Sequence, residues 1–486
     1  MIFNSIEFLA FFLVFFALYY FLLKEKTKLQ NILILLASYV FYAFADWKIL
    51  PLLVASTAVF YGLGIAVHNA KTEKTKSLFS ALGVIVGLGI LLYFKYANFF
   101  ITSFSDLFES IGLATNWHTL SIIVPVGISF YTFRLLSYII DIRNDKYEPT
   151  RDVVVFSAYV AFFPSILSGP IDRPNLLIPQ LQNKRAFNYD LAVDGCRQIL
   201  LGLFKKLVIA NNCAIYVNAV YGNFQAQNSS TLLLAAVLFS FQLYADFAGY
   251  SDMAIGVGKI LGFRITNNFN YPFFAQNIAE YWRRWHISLT SWLTDYVFMP
   301  LNVKWRDGGN WGMIGAIMIT FVLVGFWHGA NWTFIFFGFI QGLLYIPLIF
   351  SGKMFKKPKL STGKFGFPRI KVFLNMLLTF TIVTFGNIIF KSETIGESFN
   401  YMRRIFSLSL FSKPDKIEAL NLFAMAMLLF FIVAMIVVEW VQRNKSHALD
   451  ITDINNKWLR RAIYFIIIFC IVWFTGKNET FIYFQF

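Results

Sequence analysis

Apolar residues run along this chain in long stretches, each bounded by a short cluster of charged or turn-forming residues. A stretch of about 20 apolar residues is what a helix needs to cross a bilayer. Read in this way, the sequence predicts spans near 7–23, 32–46, 49–67, 78–94, 120–140, 196–217, 230–247, 312–327, 332–350, 372–390, 419–438 and 462–475. The expected fold is an all-α polytopic membrane protein, a bundle of about 11–12 transmembrane helices with re-entrant and interfacial helices, in a single membrane-embedded domain over 1–486. The first stretch, Ile6 to Leu23, has no basic n-region and no small-residue cleavage site before the Lys24-Glu25-Lys26-Thr27-Lys28 cluster. It reads as a retained membrane helix and not as a secretory signal.

Three stretches do not read as plain spans. Residues 158–179 carry Pro164, Gly169, Pro170, Pro174 and Pro179. They suit a re-entrant or broken segment, which is tolerated at membrane depth only when protein encloses it. Gly249 to Phe263 is too glycine-rich and too short for a span. Tyr271 to Leu301 is long, partly polar and rich in Trp and Arg, which predicts a helix at the cytoplasmic interface with a half-membrane continuation. Irregular backbone inside a bundle lines cavities, so function is sought between 158 and 301. No internal repeat is evident, which weighs against an inverted-repeat carrier.

Composition agrees with the span pattern. Of 486 residues, 58% are hydrophobic and 14% charged, against roughly a quarter charged in soluble proteins, which excludes an ordinary soluble or a disordered chain. Lys and Arg number 42 against 26 Asp and Glu, a net +16. In a soluble domain that excess would point to nucleic acid; here it is scattered over short loops, and no nucleic-acid partner is expected. The basic loops Lys24/Lys26/Lys28, Lys71/Lys74/Lys76, Lys353 to Lys371 and Arg443 to Arg461 follow the first, third, ninth and eleventh spans, all on one side when spans are counted in turn. The loop from Ala97 to Thr119 on the other side holds Asp106 and Glu109 and no basic residue. Both termini are therefore expected to be extracytoplasmic. Cys196, Cys213 and Cys470 form no C-x-x-C pair and read as buried packing.

Candidate chemistry narrows to few residues. Of five histidines, His68, His118 and His447 fall in loops or span ends, where a solvated imidazole is the default. His286, in YWRRWHISLTSW, and His328, in GFWHGANW between two apolar stretches, lie where an ionisable group is costly and marks a functional site. An interhelical hydrogen bond worth ~1 kcal/mol is the alternative for His328. A buried histidine is neutral and able to accept a proton. A hydroxyl attacking a thioester needs such an acceptor and a donor near the developing oxyanion.

No H-E-x-x-H or Cys/His cluster is present, and Glu280 and Asp295 fit no ligand pattern, so no metal is expected. The absence of G-x-S-x-G, G-x-x-x-x-G-K-[ST] and G-x-G-x-x-G motifs argues against serine-hydrolase and nucleotide chemistry. Arg283 and Arg284 suit the phosphates of coenzyme A or an acyl carrier, or equally lipid headgroups. Asp246 and Asp252, with Arg134 and Asp141, are expected mainly as structural pairs.

Four segments, NFNYPFFAQNIAEYWRRWHISLTSWLTDYVFMPL (268–301), GFWHGANWTFIFFG (325–338), YADFAGYSDMAIGVGKILGF (244–263) and SFYTFRLLSYIIDI (129–142), together resemble the membrane-bound O-acyltransferase family, MBOAT. Within it the chain resembles the alginate O-acetyltransferase (AlgI) branch, and the tail FIYFQF (481–486) fits that branch. The resemblance implies a helical bundle with His328 as the catalytic histidine in a tunnel joining the cytosolic and outer faces, and His286 as the second family position. Trp282, Arg283, Arg284, Trp285, Trp327 and Asn331, adjacent to them, are the substrate-binding expectations.

The resemblance further implies a cytosolic thioester donor, acetyl-CoA, and no bound cofactor. It implies an acceptor glycan or extracytoplasmic acetyltransferase partner at the outer face of a bacterial inner membrane, and O-acetylation of a cell-surface polysaccharide. The stretch FGNIIFKSETIGESF (385–399) departs from the tryptophan and Phe-Phe-Arg-like run expected there, so the glycan need not be alginate. The rival readings are D-alanyl transfer to teichoic acid, as in DltB proteins that share the W-H core, and a non-enzymatic glycan exporter or channel.

Overall fold

In lipid a backbone must satisfy its own N–H and C=O groups, so long apolar runs become helices. The computed structural model describes residues 1–363, 366–417, 420–477 and 479–482. Ala419, the first residue of an expected span, and residues 483–486 of the FIYFQF tail lie outside them. Among the described residues, eight helical segments are long and apolar enough to cross a membrane: Thr27–His68, Glu73–Ser110, Tyr189–Tyr221, Ser229–Ile260, Arg306–His328, Trp332–Phe350, Ile370–Lys391 and Leu422–Val441. Among the described residues the only bridge between extended residues joins Thr362 to Pro368. The protein is an all-α multi-pass membrane protein.

Several boundaries differ from those expected. Spans 32–46 and 49–67 form one helical run through the 3-10 turn Trp47–Ile49. The span expected at 120–140 becomes helical only at Ile128, as Ile128–Arg143. Gly249 to Phe263, set aside as too glycine-rich and too short, instead continues the Ser229–Ile260 helix as far as Ile260. A Cβ on Gly249 would lie 2.8 Å from the Gly202 carbonyl oxygen, and one on Gly202 would lie 2.5 Å from that of Gly249. The glycines let two helix backbones touch, which is what small residues do between membrane helices. Gly249→Val is expected to cost about 1–3 kcal/mol through overpacking, read as a lower apparent unfolding midpoint in detergent; an unchanged midpoint would contradict the close crossing.

The chain divides into two compact units. The first comprises residues 1–196 and 254–266. It holds the broken segment anticipated at 158–179: Val153–Ala161 and Pro174–Gln182 are helices, and the buried backbone between them is irregular. Such backbone needs partners, and Arg134 supplies them. Its guanidinium, fully buried, donates to the carbonyls of Tyr159 at 3.3 Å, Val160 at 3.2 Å and Pro170 at 3.2 Å, and to Ser165 Oγ. Asp172 in turn accepts from the backbone and hydroxyl of Thr266. Arg134, expected in a structural pair, instead holds backbone carbonyls and the Ser165 hydroxyl.

The second unit comprises residues 197–253 and 267–486. Its centre is ionic. Lys205, in the π-helical turn Phe204–Ala210, stands 3.1 Å from both Asp252 and Glu439, and Tyr244 donates to Glu439 at 2.7 Å. Lys206 pairs with Asp246 at 2.8 Å, whose other oxygen accepts from the Ile482 backbone in the C-terminal tail. Two expectations are corrected here and in the first unit. His447 is buried, because Ala448, Leu449 and Ile451 of its loop fold into a cluster with Leu201, Tyr271 and Phe274. Cys196 is exposed, while Cys213 is buried.

Candidate active site

The 271–301 stretch, expected as an interfacial helix with a half-membrane continuation, holds the helix Ile278–Arg284 and a second helical run, Ile287–Leu293 continuing through the π-helical turn Thr294–Phe298 into Met299–Lys304. The break between them falls on His286, whose backbone is left-handed at φ 43°. A non-glycine residue there costs of order 1–3 kcal/mol and persists only where the surroundings over-determine it. The consequence is positional: the kink turns the fully buried His286 ring onto Phe247, with ring centroids 4.6 Å apart.

His286 lies outside the eight spanning segments. Burial first, and the nearby His328 second, hold its imidazole well below the ordinary histidine value. It is therefore neutral at pH 7.

His328 is the last residue of the Gly309–His328 helix, and Trp332–Leu343 returns beside it. The two helices touch through Gly325 and Gly338, where a Cβ on either would come within 2.1 Å of a facing carbonyl oxygen. Gly329, next to His328, leaves room for the Phe334 ring, which an added Cβ would meet at 2.3 Å. The W-H-G pattern is thus a packing requirement that fixes the imidazole at a helix junction. Trp327 is neighbour to both histidines, with centroids 5.4 Å from His286 and 5.0 Å from His328. Phe390 lies edge-on to His328 at 5.1 Å.

His328 faces a narrow cavity of about 10 Å³, the room of a single water, lined also by Tyr281, Trp282, Trp285, Gln341 and Asn387. A second cavity of about 160 Å³ is lined by Trp282, Arg283, Thr294, Phe321, Tyr345 and Met354. Trp282 lines both. Its indole N–H donates to Gln341 Oε1 at 3.1 Å, and its ring packs edge-on against Phe321 at 5.2 Å.

The structure thus brings together His328, Trp282 and Trp285, with His286 and Trp327 packed behind them and outside the cavity lining. Asn331 does not join them. Its Oδ1 caps the Trp332–Leu343 helix at Thr333 and its Nδ2 donates to the Glu393 carbonyl. Arg283 borders the larger cavity and donates to the carbonyls of Met354 and Lys356 in the 351–369 loop. Arg284 is paired with Glu280 at 2.8 Å.

Gln341 and Asn387 were not singled out from the sequence. Each is a polar residue in an otherwise apolar run, and that is the signal that would have marked them. The Lys205–Asp252–Glu439 network supports the site from behind, since Tyr244 packs against Phe269 and Trp285 at centroid distances of 5.7 and 6.2 Å.

The sequence profile of MBOAT, the membrane-bound O-acyltransferase family, matches residues 34–390. The chain is 38% identical over 413 residues, 84% of its own length and 75% of the relative's, to the protein named Probable alginate O-acetylase AlgI of Pseudomonas aeruginosa. It is 30% identical over 536 aligned positions, 100% of this chain and 98% of the relative, to the peptidoglycan O-acetyltransferase of Helicobacter pylori. To the teichoic acid D-alanyltransferase of Bacillus subtilis it is 32% identical over 286 residues, 55% of this chain and 69% of that one.

Proposed function

This chain belongs to the membrane-bound O-acyltransferase family, and from that premise we propose that it moves an acetyl group from cytosolic acetyl-CoA to a hydroxyl of an extracytoplasmic or cell-surface polysaccharide. That it is an O-acyltransferase follows from its membership, and the reading as a non-enzymatic glycan conduit gives way to it. The acetyl group and the polysaccharide are supported by relatives named for alginate and peptidoglycan O-acetylation that align along most or all of the chain. The D-alanyl reading is supported by a relative aligned over only 55% of it. We place the protein in the inner membrane of a bacterium with both termini outward, the basic loops lying on the cytosolic side, and with an extracytoplasmic partner completing transfer to the glycan.

The observation that carries the mechanism is the burial of His328 at a cavity that shares Trp282 in its lining with a larger one. The larger cavity is bordered by Arg283, whose guanidinium holds the basic 351–369 loop. A thioester arm enters by way of the larger cavity, and its acyl carbon reaches His328 past Trp282, whose indole stays bonded to Gln341. The acceptor hydroxyl attacks that carbon as His328 takes its proton, so the C–O bond forms and the carbonyl π electrons pass to oxygen. Collapse of the tetrahedral intermediate breaks the C–S bond and expels the thiolate, which receives the proton back from His328. His286, neutral and tied to His328 through Trp327, holds the imidazole in place. No metal and no bound cofactor enters these steps.

The test is thiol release by purified protein in nanodiscs supplied with acetyl-CoA and a soluble polysaccharide acceptor. Release with acetyl-CoA supports the donor; release only with a D-alanyl carrier thioester moves the protein to the teichoic-acid reading.

A further inference from the structure

A base that takes the acceptor proton does half of the chemistry, and the other half is a donor for the carbonyl oxygen as it gains charge. Gln341 stands at the right place. It is 1% exposed, on the Trp332–Leu343 helix, and lines the His328 cavity.

An indole N–H donates and never accepts. The Trp282 hydrogen bond therefore fixes which end of the Gln341 amide is oxygen, and the NH2 group must point the other way. There Nε2 lies over Gly386 of the Ile370–Lys391 helix, where a Cβ would come within 2.8 Å of it, beside Asn387, which lines the same cavity. Among the described residues Nε2 donates to no acceptor. An amide anchored through its oxygen, with an uncommitted NH2 at the cavity of a buried histidine, has the form of an oxyanion donor.

We propose that Gln341 is a catalytic residue whose side-chain N–H binds the acyl carbonyl oxygen of the thioester in the transition state, with Trp282 as the positioning residue that keeps the amide from turning over. This rests on the acyl-transfer reading above. As the hydroxyl oxygen bonds to the acyl carbon and His328 takes the proton, the oxyanion accepts from Gln341 Nε2. The carbonyl re-forms, the thiolate leaves with the proton from His328, and Gln341 is unchanged.

The test is a cycle of three variants, Gln341→Met, Trp282→Phe and the double, compared by kcat and KM for acetyl-CoA. Loss of one oxyanion donor lowers kcat by roughly 10²- to 10³-fold, so Gln341→Met is expected to show that loss with KM little changed. Trp282→Phe keeps the amide and removes its anchor, and so retains more activity, while the double falls to the level of Gln341→Met. If Gln341 merely satisfies the indole, Gln341→Met costs nothing in the Trp282→Phe background, and the proposal is overturned.

Gln341→Asn, whose amide stops one methylene short, stands in where the Met variant does not fold, with the same loss expected. If wild-type protein releases no thiol from acetyl-CoA, the donor reading fails by itself. The same cycle is then read as base-labile acyl ester on the envelope polysaccharide of cells carrying each variant, with the same two outcomes.

Discussion

His328→Ala is expected to lower kcat for acetyl transfer by roughly 10²- to 10⁴-fold, the range that a positioned general base contributes, while the protein still inserts into membrane and remains monodisperse. The separation of effects follows from where the side chain sits. His328 ends its helix, so removing the imidazole leaves the Gly325–Gly338 crossing intact, and the room vacated opens onto the neighbouring cavity. Stopped turnover with acetyl-CoA, measured beside an unfolding curve, separates loss of a base from loss of a fold. Near-normal turnover would remove His328 from the mechanism. His286→Ala should cost less, because that ring lies against Phe247 and Trp327 and outside the cavity lining; a greater loss there than at position 328 would exchange the two roles.

Lys205→Met is expected to destabilise the protein by about 3–5 kcal/mol, the range for removing one partner of a buried ion pair and leaving charge uncompensated. Lys205 and Glu439 are 5% and 4% exposed at the side chain, and Asp252 is 13%, so solvent does little to screen what remains. The physical argument makes a second demand. Neutralising the carboxylates as well, by adding Asp252→Asn and Glu439→Gln, should restore much of the lost stability, since a polar set without net charge no longer carries the desolvation cost. The apparent unfolding midpoint in detergent reads both. A single variant as stable as wild type, or a triple variant no better than the single, would show that the network does not hold the helices. Activity should fall in the single variant too, because Tyr244, held by Glu439, packs against Trp285 at the His328 cavity.

The sequence by itself determined the solvent, the helical class and the family. Twenty-residue apolar runs have one outcome in lipid, and the W-R-R-W-H and W-H-G-A patterns carry packing constraints that survive in few other arrangements. It also marked the broken segment at 158–179, where the backbone around Pro164, Gly169 and Pro170 is irregular, although Pro174 and Pro179 lie in the helix Pro174–Gln182. It misread Gly249 to Phe263, because glycine's low helix propensity is a local quantity, whereas the 2.8 Å approach to Gly202 that rewards it is a contact between residues 47 apart.

What only the tertiary structure decided is which polar groups share a space. Asn331 sits three residues from His328 in sequence and is a helix cap outside the cavity lining; Gln341 is thirteen residues away and lines the cavity. Adjacency along the chain suggested the first, and the return of an antiparallel helix delivered the second. Likewise, Asp252 reads from sequence only as part of a structural pair, and its partner Lys205, which also meets Glu439, is not marked there. Their cost is offset only where three helices bring them within 3.1 Å, because the energy of a buried charge depends on its partners in space and not on its neighbours in sequence.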